Sequence, residues 1–195
     1  HNRLDEALAT DDRDTQRQAI EAATGQSREL LDIFAALLRI AEVEGMGVRA
    51  QFREMPLSEL VDSIVETYRP DAEISGHILN KSIEPDLQMV GDRRLIQQLL
   101  SNLLDNALAH TPAGTTITVA LDKPGEQTRI VIADDGPGVA QEETTNLFQR
   151  FTRGQRSRTG NGHGLGLALV AAITTAHGGK LKLISNPGFE ITVEL

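Results

Sequence analysis

The chain has 195 residues, 39% hydrophobic and 24% charged, with a formal net charge of -9 at pH 7, enough for one sizeable domain and an accessory piece. The acidic balance and the scarcity of aromatics (five Phe, one Tyr, no Trp) argue against general nucleic-acid binding and a base-stacking surface. With no Cys, no bilayer-length apolar run and no visible secretory leader, the composition excludes a disulfide framework, a Cys zinc site and a membrane span, and fits a reducing compartment.

Residues 2 to 9 read as the end of a helix with Leu4, Ala7 and Leu8 on one side, and Thr10-Asp11-Asp12 as the turn or cap that follows. Residues 14 to 45 carry a long helical pattern in which Ile20, Leu30, Ile33, Phe34, Leu37, Leu38 and Ala41 recur at three- and four-residue steps, weakened in the middle by Gly25. Two such antiparallel helices bury little alone. They are expected in a bundle of two chains, or else as an amphipathic hairpin packed on the chain's own core. Gly45-Met46-Gly47 ends the long helix.

From about residue 51 the elements shorten. Residues 57 to 68 predict a helix, Ile74 to Ile83 contains a strand, and Leu87 to Val90 is a short strand. Asp92 caps a helix that runs to about Ala109. Thr115 to Leu121 and Thr128 to Ala133 alternate as two strands of a hairpin around Lys123-Pro124-Gly125. Residues 135 to 163 are rich in Gly, Arg, Thr and Gln, with an apolar knot at Leu147, Phe148 and Phe151. Residues 164 to 177 are helical, and Lys180 to Ile184 and Phe189 to Leu195 are two last strands joined by Asn186-Pro187-Gly188. This order fits an α+β two-layer sandwich, with helices on one face of a mixed or antiparallel sheet, preceded by an α-helical hairpin.

Four segments carry chemistry. On the helix from Asp92, Asn102 and Asn106 lie one turn apart, off the leucine stripe. Amide oxygens can ligate a divalent cation, though such a pair also suits a solvated surface. His110 and Thr111 follow where Pro112 stops the helix. Asp134-Asp135-Gly136-Pro137-Gly138 follows a strand directly. An acid there can accept a hydrogen bond from an exocyclic amine, or the segment can be an ordinary turn. Arg150, Arg153, Arg156 and Arg158 lie on a Gly-containing stretch able to close over a phosphate, or simply to face solvent. Gly162-His163-Gly164-Leu165-Gly166-Leu167 puts three glycines at alternate positions just before a helix start, where free N–H groups and the positive dipole end suit an anion. A P-loop is excluded because Gly-Lys-Ser/Thr is missing, and a Rossmann site fits poorly because the Gly motif comes after the acidic one.

Taken together these segments resemble the GHKL (Bergerat) ATP-binding fold of sensor histidine kinases, gyrase, Hsp90 and MutL. Asn102-Leu-Leu-Asp-Asn106-Ala resembles its N box, Asp134-Asp-Gly136-Pro-Gly138 its G1 box, Leu147-Phe148-Gln-Arg-Phe151 the F box of histidine kinases, and Gly162 to Leu167 the G2 box. Order and spacing agree over residues 51 to 195, and the preceding hairpin extends the resemblance over nearly the whole chain.

The resemblance implies a magnesium ligand at Asn106 with Asn102 assisting at the phosphates. It also implies an adenine-reading acid at Asp134 and a base pocket shaped by Gly136 and Gly138. Gly162, Gly164 and Gly166, with His163, Leu165 and Leu167 between and after them, would wrap the phosphates of ATP. His110 would border the site. Residues 140 to 163 would form a lid carrying Arg153 and Arg158 as catalytic candidates. In the gyrase-like branch a Glu one turn before the metal-binding Asn activates water. Here that position is Asn102, which is no base near neutral pH, so the kinase branch is favoured over an ATPase, while the intact Asn, acidic and Gly positions disfavour a non-catalytic interaction module.

Residues 1 to 50 would then be a shortened dimerisation and phosphotransfer hairpin, and 51 to 195 the catalytic domain, with a homodimer, weak in this piece, and a response regulator receiver domain as partners. The location implied is the cytoplasmic part of a membrane-anchored sensor. Two departures stand out. The acceptor motif, His-x-x-Arg-x-Pro, is missing, and His1 is read as a chain-end remnant, so autophosphorylation in cis is not expected. Where the family often has Gly-Thr-x-Phe, this chain has Gly188-Phe189-Glu190-Ile191.

Overall fold

The structure is a computed structural model and describes residues 12–45, 51–140, 144, 147–148, 164–185 and 187–195. The expected helix at residues 2 to 9 and most of the expected lid lie outside the described residues. The chain divides into two compact units, one ending at Leu38 and one beginning at Arg39.

The first helix, α1 (Arg13–Glu44), is continuous through Gly25, beside which a Cβ would meet nothing within 4 Å. Asp12 precedes it and accepts hydrogen bonds from the Asp14 N–H and the Thr15 hydroxyl, which satisfies a helix-start donor. Within the first unit Ile20, Leu30, Leu31, Phe34 and Leu38 are exposed. The end of α1 belongs to the second unit, where Ile40 and Val43 are buried and Arg39 Nη1 donates to Gln98 Oε1 at 3.1 Å.

The second unit continues with β1 (Arg53–Pro56), α2 (Leu57–Ile74), β2 (Ile78–Ile83), β3 (Gln88–Gly91), α3 (Arg93–His110), β4 (Thr116–Asp122), β5 (Arg129–Asp134), α4 (Gly166–Ala176), β6 (Lys180–Ile184) and β7 (Phe189–Glu194). Five strands form one sheet in the order β2-β4-β5-β7-β6, with β2 parallel to β4 and every other pair antiparallel. The two-layer sandwich is therefore present. Helices α2, α3 and α4 lie on the sheet and on one another.

The periodicities explain the layering. Along β4, Ile117, Val119 and Leu121 are buried while their neighbours are half-exposed. They pair with Asp134, Ile132 and Ile130 of β5, and Ile132 and Ile130 pair in turn with Ile191 and Val193 of β7. Against this face α3 sets Ile96, Leu99, Leu100, Leu103, Leu104 and Ala107, all buried. Burying each large aliphatic contributes about 1.5–3 kcal/mol, which outweighs the modest helix preference of the stretch.

Two expectations need correction. The helix beginning at Leu57 does not stop near residue 68 but continues over Pro70 to Ile74. The proline removes one backbone donor, yet Ala72 beyond it is buried and accepts from the His77 N–H at 2.8 Å, so tertiary packing holds the last turn. The strand β1 has no counterpart among the sequence-predicted elements. It pairs antiparallel with β3 as a two-stranded ribbon. The predicted cap at Asp92 is present: its carboxylate accepts from the Arg94 N–H at 2.8 Å and the Leu95 N–H at 3.4 Å. Beside it, His177 Nε2 accepts from the Asp92 N–H at 3.2 Å while Nδ1 lies 2.9 Å from the Ile173 carbonyl, which fixes the Nδ1–H tautomer.

Candidate functional site

The alternation that builds the core also exposes its anomaly. Asp134 occupies the face of β5 where Ile130 and Ile132 are buried, and it pairs with buried Ile117. A carboxylate on an apolar face is costly unless it has partners. Asp134 is half-buried. Desolvation pushes its carboxyl above the usual carboxylate range, with Asp135 adding to the rise, while the N–H groups of Gly136 and Phe189 pull it back. The Gly136 donor lies at 3.0 Å.

Asp135 points the other way and is exposed. Its Oδ1 accepts from the Thr116 N–H at 2.7 Å, which finishes the end of the β4–β5 ladder. The motif thus separates into one structural acid and one acid placed where a ligand's donor can reach it.

The glycines after Asp134 are required by close approaches within the chain. A Cβ on Gly136 would stand 2.8 Å from Asp134 Oδ1 and 3.2 Å from the Thr111 methyl. Gly138 has φ +65, and a Cβ there would meet the Gly188 carbonyl at 2.6 Å and Ser185 Oγ at 2.8 Å. Gly188, at φ +82, lies so tightly on Asp134 that no side chain fits. Ser185 ties the same loop down: its Oγ accepts from the Val139 N–H at 2.8 Å and lies 3.0 Å from the Val139 carbonyl. Sequence reading names Thr111 without a role and leaves Ser185 aside, since a Ser at a strand end and a Thr after a helix carry no distinguishing pattern.

The amide pair comes from α3. Asn102 is half-buried, and its Nδ2 donates to the Gln98 carbonyl at 2.8 Å, which fixes the amide orientation. Its Oδ1 is then the atom nearest Gly166, 3.4 Å from where a Cβ would stand. The helix start of the Gly-rich motif thereby lies beside Asn102. Asn106, one turn on, is half-buried, and His110 in the last turn is exposed.

At the start of α4, Gly164 has φ +67, Leu165 is buried, and no side chain caps the helix. Leu167 is half-buried. Of the apolar knot, Leu147 is buried and Phe148 half-buried. Arg153, Arg158, Gly162 and His163 lie outside the described residues. Among the described residues no group of three or more His, Cys, Asp or Glu side chains could hold a metal ion.

Comparison with known proteins now fits this geometry. Residues 91–195 match the family of histidine kinase-, DNA gyrase B- and HSP90-like ATPases, which is more than half of the chain. The chain belongs to that family. It is 30% identical over 98% of its length to the sensor-like histidine kinase SenX3 of Mycolicibacterium smegmatis, covering 51% of that protein. Among solved structures it is similar to the mycobacterial sensor histidine kinase MprB (29% identity, TM-score 0.66, 73% of this chain and 97% of that one). It is also similar to full-length ShkA, solved in complex with AMPPNP (25% identity, TM-score 0.75, 98% of this chain and 40% of that one). Within the family, then, its likeness is to sensor histidine kinases, and it spans about half the length of SenX3. Among the described residues no helix is long and apolar enough to cross a membrane.

Proposed function

We propose that this chain is the ATP-binding catalytic part of a sensor histidine kinase. It binds magnesium ATP and passes the γ-phosphoryl group to a hairpin histidine that this chain does not supply, for relay to an aspartate of a response regulator. The observation that carries this reading is the half-buried Asp134 carboxyl on the apolar face, beside a loop whose glycines already sit in close contact. Its free lone pairs suit an exocyclic amine, which is how adenine would be selected. That the similar ShkA is solved in complex with AMPPNP supports nucleotide binding.

The phosphates would lie at the uncapped start of α4, where backbone N–H groups and the helix dipole favour an anion. Asn102 and Asn106 would assist from α3. Magnesium typically keeps most of its water and borrows phosphate oxygens, needing only one or two protein oxygens. The lack of an acidic cluster among the described residues fits such sharing, with Asn106 as the protein ligand. When bound, the ion would neutralise charge on the transferring phosphoryl group. Arg153 and Arg158 would act from the lid.

Residues 1 to 50 would serve dimerisation and 51 to 195 catalysis. The exposed apolar residues of α1, Ile20, Leu31, Phe34 and Leu38 among them, support a helical partner there, hence a homodimer. No histidine lies on α1, consistent with an acceptor elsewhere in the parent protein. The reading is tested by mixing the chain with radiolabelled magnesium ATP and a separately supplied histidine-bearing hairpin. Acid-labile, base-stable label on the hairpin is expected. Steady release of inorganic phosphate with no label on the hairpin would instead mark an ATPase.

A further inference from the structure

His77 is a buried titratable side chain that the proposed chemistry leaves unused. It is 6% exposed and lies in the connection between α2 and β2, under the C-terminal ends of two helices. Nδ1 is 2.9 Å from Ser75 Oγ, which also lies 2.7 Å from the Asp71 carbonyl of α2 and has one hydrogen to give to either. Nε2 is 2.9 Å from Thr111 Oγ1 and 3.2 Å from the Thr111 carbonyl, at the C-cap of α3.

Counting hydrogens decides the arrangement. Thr111 Oγ1 spends its one hydrogen on the Ala107 carbonyl at 2.6 Å, so toward the ring it can only accept. The carbonyl of Thr111 also only accepts. Nε2 must therefore carry a hydrogen, while Nδ1 can be satisfied either by donating to Ser75 or by receiving its hydroxyl hydrogen. The bond to Thr111 is the fixed one.

Thr111 in turn touches the candidate base site. Its methyl is the neighbour that a Cβ on Gly136 would meet at 3.2 Å, and Gly136 donates to Asp134. The same region is lashed together by Gly114 N–H to the Gly76 carbonyl at 2.8 Å and Ile78 N–H to the Thr115 carbonyl at 3.0 Å. The ring bonds to Thr111, the Thr111 methyl faces the side of Gly136 where a Cβ would stand, and Gly136 donates to the carboxyl that would read the base.

We propose that His77 is a positioning residue for the base end of the nucleotide site: its Nε2–H holds Thr111 as the floor on which the Asp134–Gly136 turn rests. This rests on the nucleotide reading given above. A leucine at 77 fills the buried space without the donor and leaves Thr111 to settle elsewhere. A glutamine offers an amide N–H near the place of Nε2–H.

The test measures binding of ATP and of magnesium tripolyphosphate by calorimetry on wild type, His77→Leu, His77→Gln and Thr111→Val, with thermal melts alongside. His77→Leu and Thr111→Val are expected to weaken ATP binding by roughly tenfold, as loss of one hydrogen bond would, with tripolyphosphate affinity within about twofold of wild type. His77→Gln is expected to recover most of the ATP affinity, and the His77→Leu/Thr111→Val pair to be no worse than either alone. Ring nitrogen NMR of the wild type above neutral pH should show the Nε2–H tautomer. Folded His77→Leu protein with unchanged ATP affinity, equal losses on both ligands, or an Nδ1–H tautomer would each overturn the inference. If His77→Leu fails to fold, the Thr111→Val and His77→Gln affinities and the tautomer decide it by the same criteria. Wild type that binds tripolyphosphate or nothing, but shows no preference for ATP, would overturn the nucleotide reading itself and this inference with it.

Discussion

At the base end of the candidate cleft the close approaches are already made within the chain: Gly138 against Gly188 and Ser185, Gly188 against Asp134, Gly136 against Thr111. At the phosphate end the described residues offer something less complete. A helix starts without a side-chain cap, a left-handed Gly164 precedes it, and an amide oxygen of Asn102 lies alongside. The first end is a fixed shape that can reject a wrong ligand before binding. The second is a helix start without a side-chain cap, which suits an anion. The proposed reading would thus give selectivity and charge neutralisation to separate elements, β5 with its turn for one and α3 with α4 for the other.

The largest effect that could break this contrast is on stability. Gly188→Ala places a methyl on the Asp134 backbone in a left-handed conformation, and should cost about 3–4 kcal/mol in urea unfolding. A loss below about 1 kcal/mol would show that the base end yields and is not preformed. Next comes Asp134→Ala, expected to lower ATP affinity by roughly a hundredfold, with Asp135→Ala within about threefold, since only the former leaves a base donor unpaired. Equal losses at the two positions, read by nucleotide titration, would erase the distinction between them.

Gly166→Ala should behave in the opposite way to Gly188→Ala. Its backbone is helical and the added Cβ makes ordinary contact with Asn102, so stability should hold or rise by about 0.5–1 kcal/mol. Nucleotide affinity should still fall, by about tenfold, if phosphates pass over that position.

The smallest effect is a pair of pH trends of opposite sign. The Asp134 carboxyl is raised in the folded chain, so the folded state holds its proton more tightly and stability declines as pH climbs from the ordinary carboxylate range through the raised value. Asp134→Asn should flatten that decline. Glu66 is held down to about 2 by hydrogen bonds from Arg69 and Lys81, so its contribution is present above the unfolded value of 4.5 and is lost as pH falls toward 2. Being at the surface, the Glu66 ion pairs should also fade with salt while the Asp134 trend persists.

Much of this architecture was legible because it rests on period and punctuation. The leucine stripe of α3, the Asp92 cap and the alternation in β4 and β5 each follow from one local rule. β1 escaped because Arg53-Glu54-Met55-Pro56 has no alternation to read; it is held by pairing with β3, a partner more than thirty residues away. The extension of α2 escaped because a proline is a strong local stop that the burial of Ala72 overrides. In the candidate site, the motifs are readable as motifs, but which acid of Asp134-Asp135 lies on the apolar face of β5 depends on sheet register. Thr111, Ser185 and His77 matter only through neighbours distant in sequence.

The bond between the Thr116 N–H and Asp135 therefore does more than close a ladder. Successive strand residues face opposite ways, so a slip of β5 by one residue against β4 would hand the ligand-facing place to Asp135 and send Asp134 outward. The chain carries two identical side chains at this spot, and composition cannot tell them apart. Thr116 works as a proofreading mark: it captures one aspartate at the rim and so leaves the other in the place proposed for the reader. Length changes in the turn at 123–127 should leave that spelling intact, whereas a single-residue deletion inside β5 would exchange the two aspartates.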